Sequence, residues 1–546
     1  MNSASKNKKS ADVYEPTSLL FTKWLLWLYL MAFFFIYPLY FENKYYNMGE
    51  AKWHFYMAIT FGMRWGHLPV PGLLVLTAIC AVWYLVTLLV RGDCHVRDLW
   101  KKMSTLDRFV FAYLICVVLA SLVAPDKTYV LWGYDGWYMG LMAQISFVLL
   151  YFLVSRFCSP GAIFYVAAFA VSGIVFLIAV LNRFGMDPLG MYDGLDMNVQ
   201  AHFFVTTMGN TTWYGCMLCV MLAAGLGVFC SAEKLWVRIL SGAFCFIGFM
   251  SAVTTDSDAI FAGIFAMFIA LLYFSFSDNR RFKNFWQALA LCLASFKCMG
   301  LLQQAFRGRA VVLGNLCTFL SQSKVMWILL LIAAVLMITV TFLDGRDRLQ
   351  VEKISWLRKM YLIVILAGIG LYVLYLVLNT TGHLPGFIKS STNNYFLFNN
   401  DWGDLRGGSW KAAVGTIFKS FADHPINAIF GWGPDCLSVG VYTYYAEQLR
   451  AAFGDAVLTA AHNEWLNMFV NYGIVGGAVY LGIFVSAVRT FAREAAEKKE
   501  LVPVIVALLA YFGVDFFCYQ QIISTPIIFV MLGLGEYYSL KKNSKG

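Results

Sequence analysis

The sequence predicts an all-α integral membrane protein with about fourteen transmembrane helices and one large outer loop. Hydrophobic residues make up 60% of the 546 residues and charged residues only 13%, whereas an average soluble domain carries about 25% charged residues. The mean hydropathy is strongly positive. Apolar runs of about twenty residues, the length that a helix needs to cross the hydrocarbon layer, follow one another along the chain. Little of the chain remains for an independent soluble domain.

The apolar runs define the predicted transmembrane helices, and each run is flanked by charged residues, by turn residues or by both. The predicted spans are 20–40, 69–90, 108–124, 139–156, 161–182, 213–230, 236–254, 258–276, 284–303, 324–343, 359–379, 461–488, 501–518 and 522–538. The first run follows a basic, polar stretch, but no small-residue cleavage site comes after it. We therefore predict a retained span rather than a removed signal peptide.

The formal net charge of +10 comes from basic residues that cluster between alternate spans. These clusters lie at 6–9, 91–108, 234–238, 280–283, 346–359, 489–499 and 541–545. If the spans alternate in direction, every cluster falls on one side, and the positive-inside rule places that side in the cytoplasm. The placement of the basic residues therefore predicts the topology of a cell inner (plasma) membrane protein. It does not indicate a nucleic-acid partner.

This topology divides the chain into five parts. They are a cytoplasmic N-terminal tail (1–19), transmembrane helices 1–11 (20–379), a large extracytoplasmic loop (380–460), transmembrane helices 12–14 (461–538) and a cytoplasmic tail (539–546). A connection of about eighty residues is far longer than usual, so we expect the large loop to be functional. Shorter outer loops are predicted at 41–68, 125–138, 183–212 and 303–323.

The thirteen cysteines lie mostly inside predicted spans. Cys216 and Cys219 form a CxxC pair, but within an apolar helix and without a second pair. We interpret them as helix-packing residues rather than as a redox or metal site. The sequence contains no HxxxH, HExxH, P-loop or GxSxG motif, and no cofactor is predicted.

The large loop returns to the membrane at His462. In a helix that begins here, residues three and four apart share a face. The resulting stripe comprises positions 462, 466, 469, 473, 476 and 480. His462 would lie at its outer mouth, above Gly473 and Gly476. It is either a capping histidine above a packing seam or a general base, which the helix dipole would keep neutral and able to accept a proton.

Arg406 begins a second candidate element, a helical pattern that runs to Phe421 before His424-Pro425 and the turn 431–434. One face of this helix carries Trp410, Ala413, Ile417 and Phe421. Such a face suits a helix that lies on the outer membrane surface. Arg406 is either a solvated loop arginine or, next to two glycines, a bidentate phosphate ligand.

These segments resemble a known family. His462-Asn463, followed after nine residues by Gly473-x-x-Gly476, is similar to the signature of the O-antigen ligase and polymerase superfamily of membrane glycosyltransferases. Arg406-x-x-x-Trp410, with the later 424–433 stretch, resembles a motif in that family's large outer loop. The segment 207–213, which contains Asn210, resembles the family's G-N-x-N segment. The resemblance runs from about residue 120 to the end of the chain.

The resemblance implies a GT-C-like glycosyltransferase whose donor is a glycan on a polyprenyl diphosphate, such as undecaprenyl diphosphate. The acceptor hydroxyl, on a sugar, a lipid-linked molecule or a protein, would attack the anomeric carbon with inversion. His462 would take the acceptor proton, and Arg406 would stabilise the developing diphosphate charge. The glycine stripe would leave a groove for the isoprenoid among the membrane lipids. Further substrate-binding candidates are Asn463, Trp410, Gly473, Gly476 and Asn210.

The sequence departs from the family pattern at two positions. Asp258 stands where the family commonly has a diphosphate-binding arginine, and Trp137 stands where it often has another arginine. The missing positive charge is therefore expected from Arg183, Arg307 or Arg309, all in predicted outer loops. Residues 256–258 also form a DxD, which holds a divalent ion in other glycosyltransferases. Because the family resembled is regarded as metal-independent, no metal is predicted.

Three other functions remain open at this point. A polymerase would join repeat units on the same lipid carrier, and a protein O-oligosaccharyltransferase would share these motifs. A transporter or flippase without chemistry would instead predict inverted repeats and charged residues at mid-membrane. Of such charged residues the sequence offers only Lys297 and the 256–258 cluster, so an enzyme is the preferred interpretation.

Overall fold

The computed structural model describes residues 16–65 and 68–541. Most of the predicted tails 1–19 and 539–546 therefore lies outside the described residues. The described residues are 72% helical and form 22 α-helices. Within the described residues the sheet is limited to two short antiparallel pairs. The predicted all-α fold class is confirmed.

The first half of the chain forms eleven helices. They are α1 (Thr17–Met31), α2 (Met48–Thr60), α3 (Leu73–Val90), α4 (Val96–Lys102), α5 (Thr105–Val123), α6 (Leu141–Phe157), α7 (Ala162–Arg183), α8 (Met197–Gln200), α9 (Thr211–Ser231), α10 (Leu235–Thr254) and α11 (Ala259–Ser275). A π-helical turn (Ala32–Ile36) and a 3₁₀ turn (Tyr37–Leu39) extend α1. Strand β1 (Gly62–Trp65) pairs with β2 (Leu68–Pro71), and β3 (Phe204–Val205) pairs with β4 (Gly209–Asn210).

The second half of the chain forms eleven more helices. They are α12 (Asn279–Ala305), α13 (Asn315–Gln322), α14 (Lys324–Asp344), α15 (Leu357–Thr381), α16 (Trp402–Asp423), α17 (Pro425–Phe430), α18 (Leu437–Phe453), α19 (Glu464–Asn471), α20 (Gly473–Glu494), α21 (Leu501–Val514) and α22 (Thr525–Leu540). Two further 3₁₀ turns lie at Thr206–Met208 and Val351–Ile354.

Ten helical segments of the described residues are long and apolar enough to cross a membrane, and four more are apolar but shorter. The ten are Thr17–Leu39, α3, α5, α7, α9, α10, α12, α14, Val351–Thr381 and α20, and the shorter four are α6, α11, α21 and α22. Each of the fourteen predicted spans overlaps one of these segments. The chain is a multi-pass membrane protein.

The predicted single helix over 461–488 is wrong. The chain forms α19 and α20 instead, and Gly473, with φ +67°, stands at the break between them. The cause is a close approach of backbones, because a Cβ on Gly473 would lie 2.3 Å from the Ile429 carbonyl oxygen. His462 precedes α19 with a φ of +50°, and Asn463 caps that helix. The predicted continuous stripe below His462 therefore does not form.

The core of the bundle is centred on α9. Of the apolar stretch of α9, 89% is buried inside the protein, whereas none of that of Val351–Thr381 is buried. Helix α9 packs against α10 and α21, and α21 packs against α11 and α22. The α21–α22 connection (residues 515–524) lies at one end of this core, where it meets the large loop.

The contacts between loops fall into two sets. Predicted outer loops contact one another through Lys44 and Asp193 (2.8 Å) and through Tyr134 and Asp435 (2.7 Å). The large loop also contacts the outer end of the predicted span 258–276, through Tyr395 and Asp258 (2.6 Å). Predicted inner loops contact one another through Lys283 and Asp344, Lys499 and Glu233, and Arg281 and Ala495. This separation agrees with spans that alternate in direction. Which set faces the cytoplasm stays a prediction.

Candidate active site

His462 lies between two fixed backbone positions at the end of the large loop. The Ala461 N–H donates to Asn467 Oδ1 at 2.8 Å, and the Glu464 N–H donates to the Asp515 carbonyl at 2.9 Å. The His462 side chain is half-buried, and its Nδ1 atom is buried without a hydrogen-bond partner among the described residues. The hydrogen-bonding capacity of this imidazole nitrogen is therefore unused.

Arg406 begins the regular part of α16. The three residues before it, Gly403, Asp404 and Leu405, all have a positive φ, so the chain is kinked there before the regular helix starts. The Arg406 Nη1 donates to the Gly403 carbonyl, whereas its Nε is buried and has no partner in the part of the chain that the structure describes. The kink thus turns the guanidinium back over the start of the regular helix. The Nε–H group remains able to donate a hydrogen bond.

The His462 imidazole and the Arg406 guanidinium interact electrostatically. Burial, together with the positive charge of Arg406, lowers the pKa of His462 to about 4. His462 lies outside the apolar helix that begins at Gly473. The sequence predicted a neutral histidine because of the helix dipole. The side chain is neutral at pH 7, but the main cause is burial.

The α21–α22 connection contacts His462 and the helix that carries Arg406. Tyr519 packs edge-on against the His462 ring, with ring centroids 5.0 Å apart. Phe517 stacks on Trp410, which lies one turn after Arg406 in α16, with ring centroids 6.0 Å apart. Neither Phe517 nor Tyr519 was predicted from the sequence, because neither belongs to a chemical motif and their roles depend on tertiary packing.

Two tryptophans complete the wall next to Tyr519. The Trp213 Nε1 donates to the Tyr519 hydroxyl at 2.9 Å. Trp137 packs edge-on against Trp213 and Tyr519, with ring centroids 5.3 and 4.9 Å away. Asn210 accepts hydrogen bonds from the Thr212 and Trp213 N–H groups and so caps α9. The predicted site residue Asn210 therefore holds the start of the helix that presents Trp213.

The predicted site residues Asn463 and Trp410 lie beside His462 and Arg406 respectively. Asn463 Oδ1 accepts the Leu466 N–H at 3.0 Å, and Trp410 Nε1 is buried without a partner. Of the predicted apolar face of α16, Ala413 is fully buried, but Phe421 is 48% exposed. Helix α16 packs against α17, α18 and α19, so it belongs to the packed part of the large loop.

The predicted site residues Gly473 and Gly476 contact protein atoms. Gly473 faces the Ile429 carbonyl, and a Cβ on Gly476 would lie 2.4 Å from the Cβ of Tyr472 and 3.4 Å from that of Cys116. The neighbouring Gly477 faces Phe469. The glycines therefore permit close packing in this structure, and their contact with an isoprenoid chain stays a prediction.

The three arginines predicted to replace the family arginine lie in a second cluster. Arg183 is fully buried and pairs with Asp256 at 3.2 Å. The Val311 N–H donates to the Arg183 carbonyl at 2.9 Å, which places the turn that carries the exposed residues Arg307 and Arg309 beside it. None of their described contacts reaches His462, so their role towards a diphosphate stays a prediction.

The two carboxylates of the DxD sequence have different partners. Asp256 pairs with Arg183 and accepts the Gly314 N–H at 2.7 Å, whereas Asp258 accepts the Tyr395 hydroxyl at 2.6 Å. A shared metal ion would instead draw both carboxylates to one point. The arrangement indicates that these residues link the loop ends around Arg183.

Asp435 is a residue of this region that sequence reasoning missed. Its Oδ2 accepts the Tyr134 N–H at 2.7 Å and the Met139 N–H at 3.0 Å. Burial raises the pKa of Asp435 to about 6. Because Trp137 lies between the two donors, Asp435 fixes the loop that places Trp137 near Tyr519. Its position directly after the stiff turn 431–434 was the available signal.

The site geometry can be compared with known families. The O-antigen ligase family model matches residues 310–481. The matched segment begins before α13 and ends within α20, so it contains Arg406, His462 and the Gly473–Gly476 element. No curated protein matches the chain. The family match confirms the resemblance predicted from the His462–Gly476 signature, because this segment is similar to the O-antigen ligase family.

Proposed function

We propose that the protein transfers a glycan from a polyprenyl diphosphate carrier to an acceptor hydroxyl on the outer face of the cell inner membrane. The observation that carries this proposal is the electrostatic interaction between His462 and Arg406. Each residue has a buried nitrogen that no described residue pairs by a hydrogen bond, and the positive charge of Arg406 lowers the pKa of His462. A proton acceptor beside a cation is the arrangement that attack on a glycosyl diphosphate requires.

Arg406 binds the diphosphate of the donor in this mechanism. A planar guanidinium can donate two parallel hydrogen bonds to phosphate oxygens. The kink at Gly403–Leu405 presents Arg406 at the start of α16, where the helix dipole also favours an anion. As the glycosidic bond breaks, negative charge grows on the diphosphate, and Arg406 stabilises that charge more strongly than it stabilises the bound donor.

His462 accepts the proton of the acceptor hydroxyl. The acceptor oxygen forms a bond to the anomeric carbon while its proton passes to the imidazole. The bond from that carbon to the diphosphate oxygen breaks, and the polyprenyl diphosphate leaves with the electron pair. Attack from the face opposite the diphosphate inverts the anomeric centre. Tyr519, packed against the ring, limits the orientations that His462 can adopt.

The related activities differ in the molecule that accepts the glycan. A ligase transfers the glycan to a different molecule, a polymerase transfers it to a second lipid-linked unit, and a protein O-oligosaccharyltransferase transfers it to a serine or threonine. All three use the same proton transfer and the same leaving group. The family match favours the ligase.

The test is glycan transfer by purified variants in membranes that supply the native lipid-linked donor and acceptor. We expect His462→Ala to lower the transfer rate by about two to four orders of magnitude, because it removes the general base. The matched control is His383→Ala, since His383 is exposed in the large loop. Near-full activity of the His462 variant at equal protein level would overturn the proposal.

A further inference from the structure

Two thiols and a carboxylate meet beneath the candidate active site. Cys216 belongs to α9, whereas Asp515 and Cys518 belong to the α21–α22 connection, and all three are fully buried. The two sulfur atoms are 2.9 Å apart, and Cys216 Sγ lies 3.8 Å from Asp515 Oδ1. Among the described residues, this is the one group of three or more His, Cys, Asp or Glu side chains whose possible metal-ligand atoms all lie within 4.8 Å of one another.

The group lacks a positive partner among the described residues. Asp515 Oδ2 is buried and has no hydrogen-bond partner within residues 16–65 and 68–541. The neighbouring Glu464 carboxyl is also fully buried, and Tyr511 and Tyr480 donate to it. The described ion pairs include neither Asp515 nor Glu464. Buried acids without a cation are unfavourable, so either a shared proton or a bound cation must compensate them.

We propose that Cys216, Asp515 and Cys518 bind a divalent cation that favours thiolate ligands, with Zn²⁺ as its representative. Thiolates and a carboxylate are ligands that Zn²⁺ prefers, and tetrahedral coordination at a Zn–S distance of about 2.3 Å separates two sulfurs by about 3.7 Å. The thiols would therefore move apart by less than about 1 Å on binding. Both thiol protons leave to solvent as the two Zn–S bonds form.

Gln521 can complete the coordination. Its Nε2 lies 3.5 Å from Cys518 Sγ, and its Oε1 is buried without a partner. Because the two ends of an amide are exchanged by a simple flip, the oxygen can take the position that faces the sulfurs. Glu464, which lies beside Asp515, would then orient the ligand carboxylate from behind, as carboxylates do in many metal sites.

The proposed ion would be structural and would fix the wall of the active site. It would join α9 to the α21–α22 connection, which carries Tyr519 against His462 and Phe517 against Trp410. The ion does not take part in glycan transfer. The inference stands independently of the proposed function, and its test needs no transfer assay.

The structure also corrects the partner of Cys216. The CxxC pattern pairs it with Cys219, but the described contacts pair it with Cys518. Cys219 lies outside the group of three, and a Cβ on Gly263 would come within 2.3 Å of its sulfur. Cys219→Ser is therefore a matched control, because it removes a buried thiol from the same helix without removing a proposed ligand.

The experiment measures zinc bound to the full-length protein, purified in detergent without a polyhistidine tag, incubated with ZnCl₂ and separated by gel filtration. We expect about one zinc per chain in the wild type and in Cys219→Ser. We expect a fall to background in Cys216→Ser and in Cys518→Ser. Asp515→Asn should weaken zinc binding at least about tenfold, because it removes the anionic oxygen ligand. Circular dichroism and gel filtration verify that each variant is folded.

Three results would overturn the inference. They are wild-type protein without bound zinc, equal zinc in the wild type and both ligand variants, or a Cys216–Cys518 disulfide in peptides prepared without reductant. If the serine variants do not fold, Co²⁺ replaces Zn²⁺ in the wild type and in Cys219→Ser. Thiolate-to-cobalt absorption in both proteins supports the site, and its absence from either overturns the site.

Discussion

The guanidinium of Arg406 acts on the imidazole of His462, since burial and the Arg406 charge together lower the pKa of His462 to about 4. His462 is therefore neutral at pH 7 but a weak base. A bound diphosphate would bring negative charge to Arg406 and offset its field at His462. The donor would thus strengthen the base that activates the acceptor, which couples the two halves of the proposed reaction.

This coupling predicts two different pH profiles. The rate falls at low pH, because protonated His462 cannot accept the acceptor proton. The profile of kcat/KM reports the free enzyme, so we expect its acid limb near pH 4. The profile of kcat reports the substrate complex, and we expect its acid limb at least about one unit higher, as opposite charges commonly shift a pKa by 1–3 units.

The initial transfer rate is measured between about pH 3.5 and 8, a range that covers both acid limbs. Each series is run at low and at saturating donor concentrations. If the acid limbs of the kcat/KM and kcat profiles fall at the same pH, the coupling between donor binding and the basicity of His462 is contradicted. Arg406→Gln supplies an independent check, since loss of the positive charge should move the acid limb of kcat/KM to higher pH. Arg450→Gln, a change of an exposed arginine in α18, should leave the limb in place.

A second prediction concerns the break between α19 and α20. Gly473 has a φ of +67°, and a Cβ there would lie 2.3 Å from the Ile429 carbonyl oxygen and 2.6 Å from the Gly431 nitrogen. Gly473→Ala should therefore destabilise the fold by more than about 2 kcal/mol, because left-handed strain adds to a backbone collision. A lower thermal unfolding midpoint in detergent measures this loss.

The control for this prediction is Gly368→Ala. Gly368 is exposed in α15, and its Cβ would meet nothing within 4 Å. Alanine in a helix interior is favoured over glycine by roughly 1 kcal/mol, so the unfolding midpoint should stay or rise slightly. Equal unfolding midpoints for the Gly473 variant and the wild type would contradict the prediction. They would show that the backbone at Gly473 and the backbone at the end of α17 can separate without loss of stability.

The spans were predictable because each depends on the residues within it. Twenty consecutive apolar residues form a membrane helix in almost any surroundings, and all fourteen predicted spans overlap a helix or helical segment of this kind. The break at Gly473 was not predictable in this way. It depends on Ile429 and Gly431, which approach from the end of α17, and no local pattern reports that approach.

The candidate site was predictable where a motif marks it. His462 and Arg406 follow from their spacing to glycine and tryptophan residues, which resembles a family signature. Tyr519 and Asp435 do not belong to such a motif, and aromatic residues and carboxylates are common in outer loops. Their roles arise only when the α21–α22 connection and the turn 431–434 pack beside His462 and Trp137.

The topology of the chain gives a third prediction. Basic residues gather between alternate spans, so the loop 344–358 should face the cytoplasm and the loop 380–460 the outside. Three exposed positions report this arrangement: Thr392, Glu447 and Glu352. A membrane-impermeant maleimide applied to intact cells should label Thr392→Cys and Glu447→Cys but not Glu352→Cys.

Permeabilised cells provide the control, because Glu352→Cys should then react as well. Wild-type labelling gives the background from the native thiols, of which Cys80 and Cys94 are partly exposed and many others are buried. Labelling of Glu352→Cys alone in intact cells would reverse the orientation and would place His462 and Arg406 on the cytoplasmic side.

The last prediction separates two roles of Arg406. If it grips a diphosphate through two parallel hydrogen bonds, charge alone cannot replace it, because lysine lacks the planar fork. Arg406→Lys should then be nearly as damaging as Arg406→Ala. Hydrogen bonds to charged groups contribute roughly 1.5–3 kcal/mol each, so the loss of one or two should lower the transfer rate by about tenfold to several hundredfold or more.

The rival role is an anchor that holds α16 near lipid headgroups, where lysine serves as well as arginine. Both variants are assayed on the same polyprenyl diphosphate donor, and Arg450→Lys reports the effect of the same change at an exposed arginine of the large loop. A fully active Arg406→Lys would remove Arg406 from the site. The diphosphate would then have to be held by Arg183, Arg307 or Arg309, and since Arg183 is already paired with Asp256, the exposed pair would be the next positions to change.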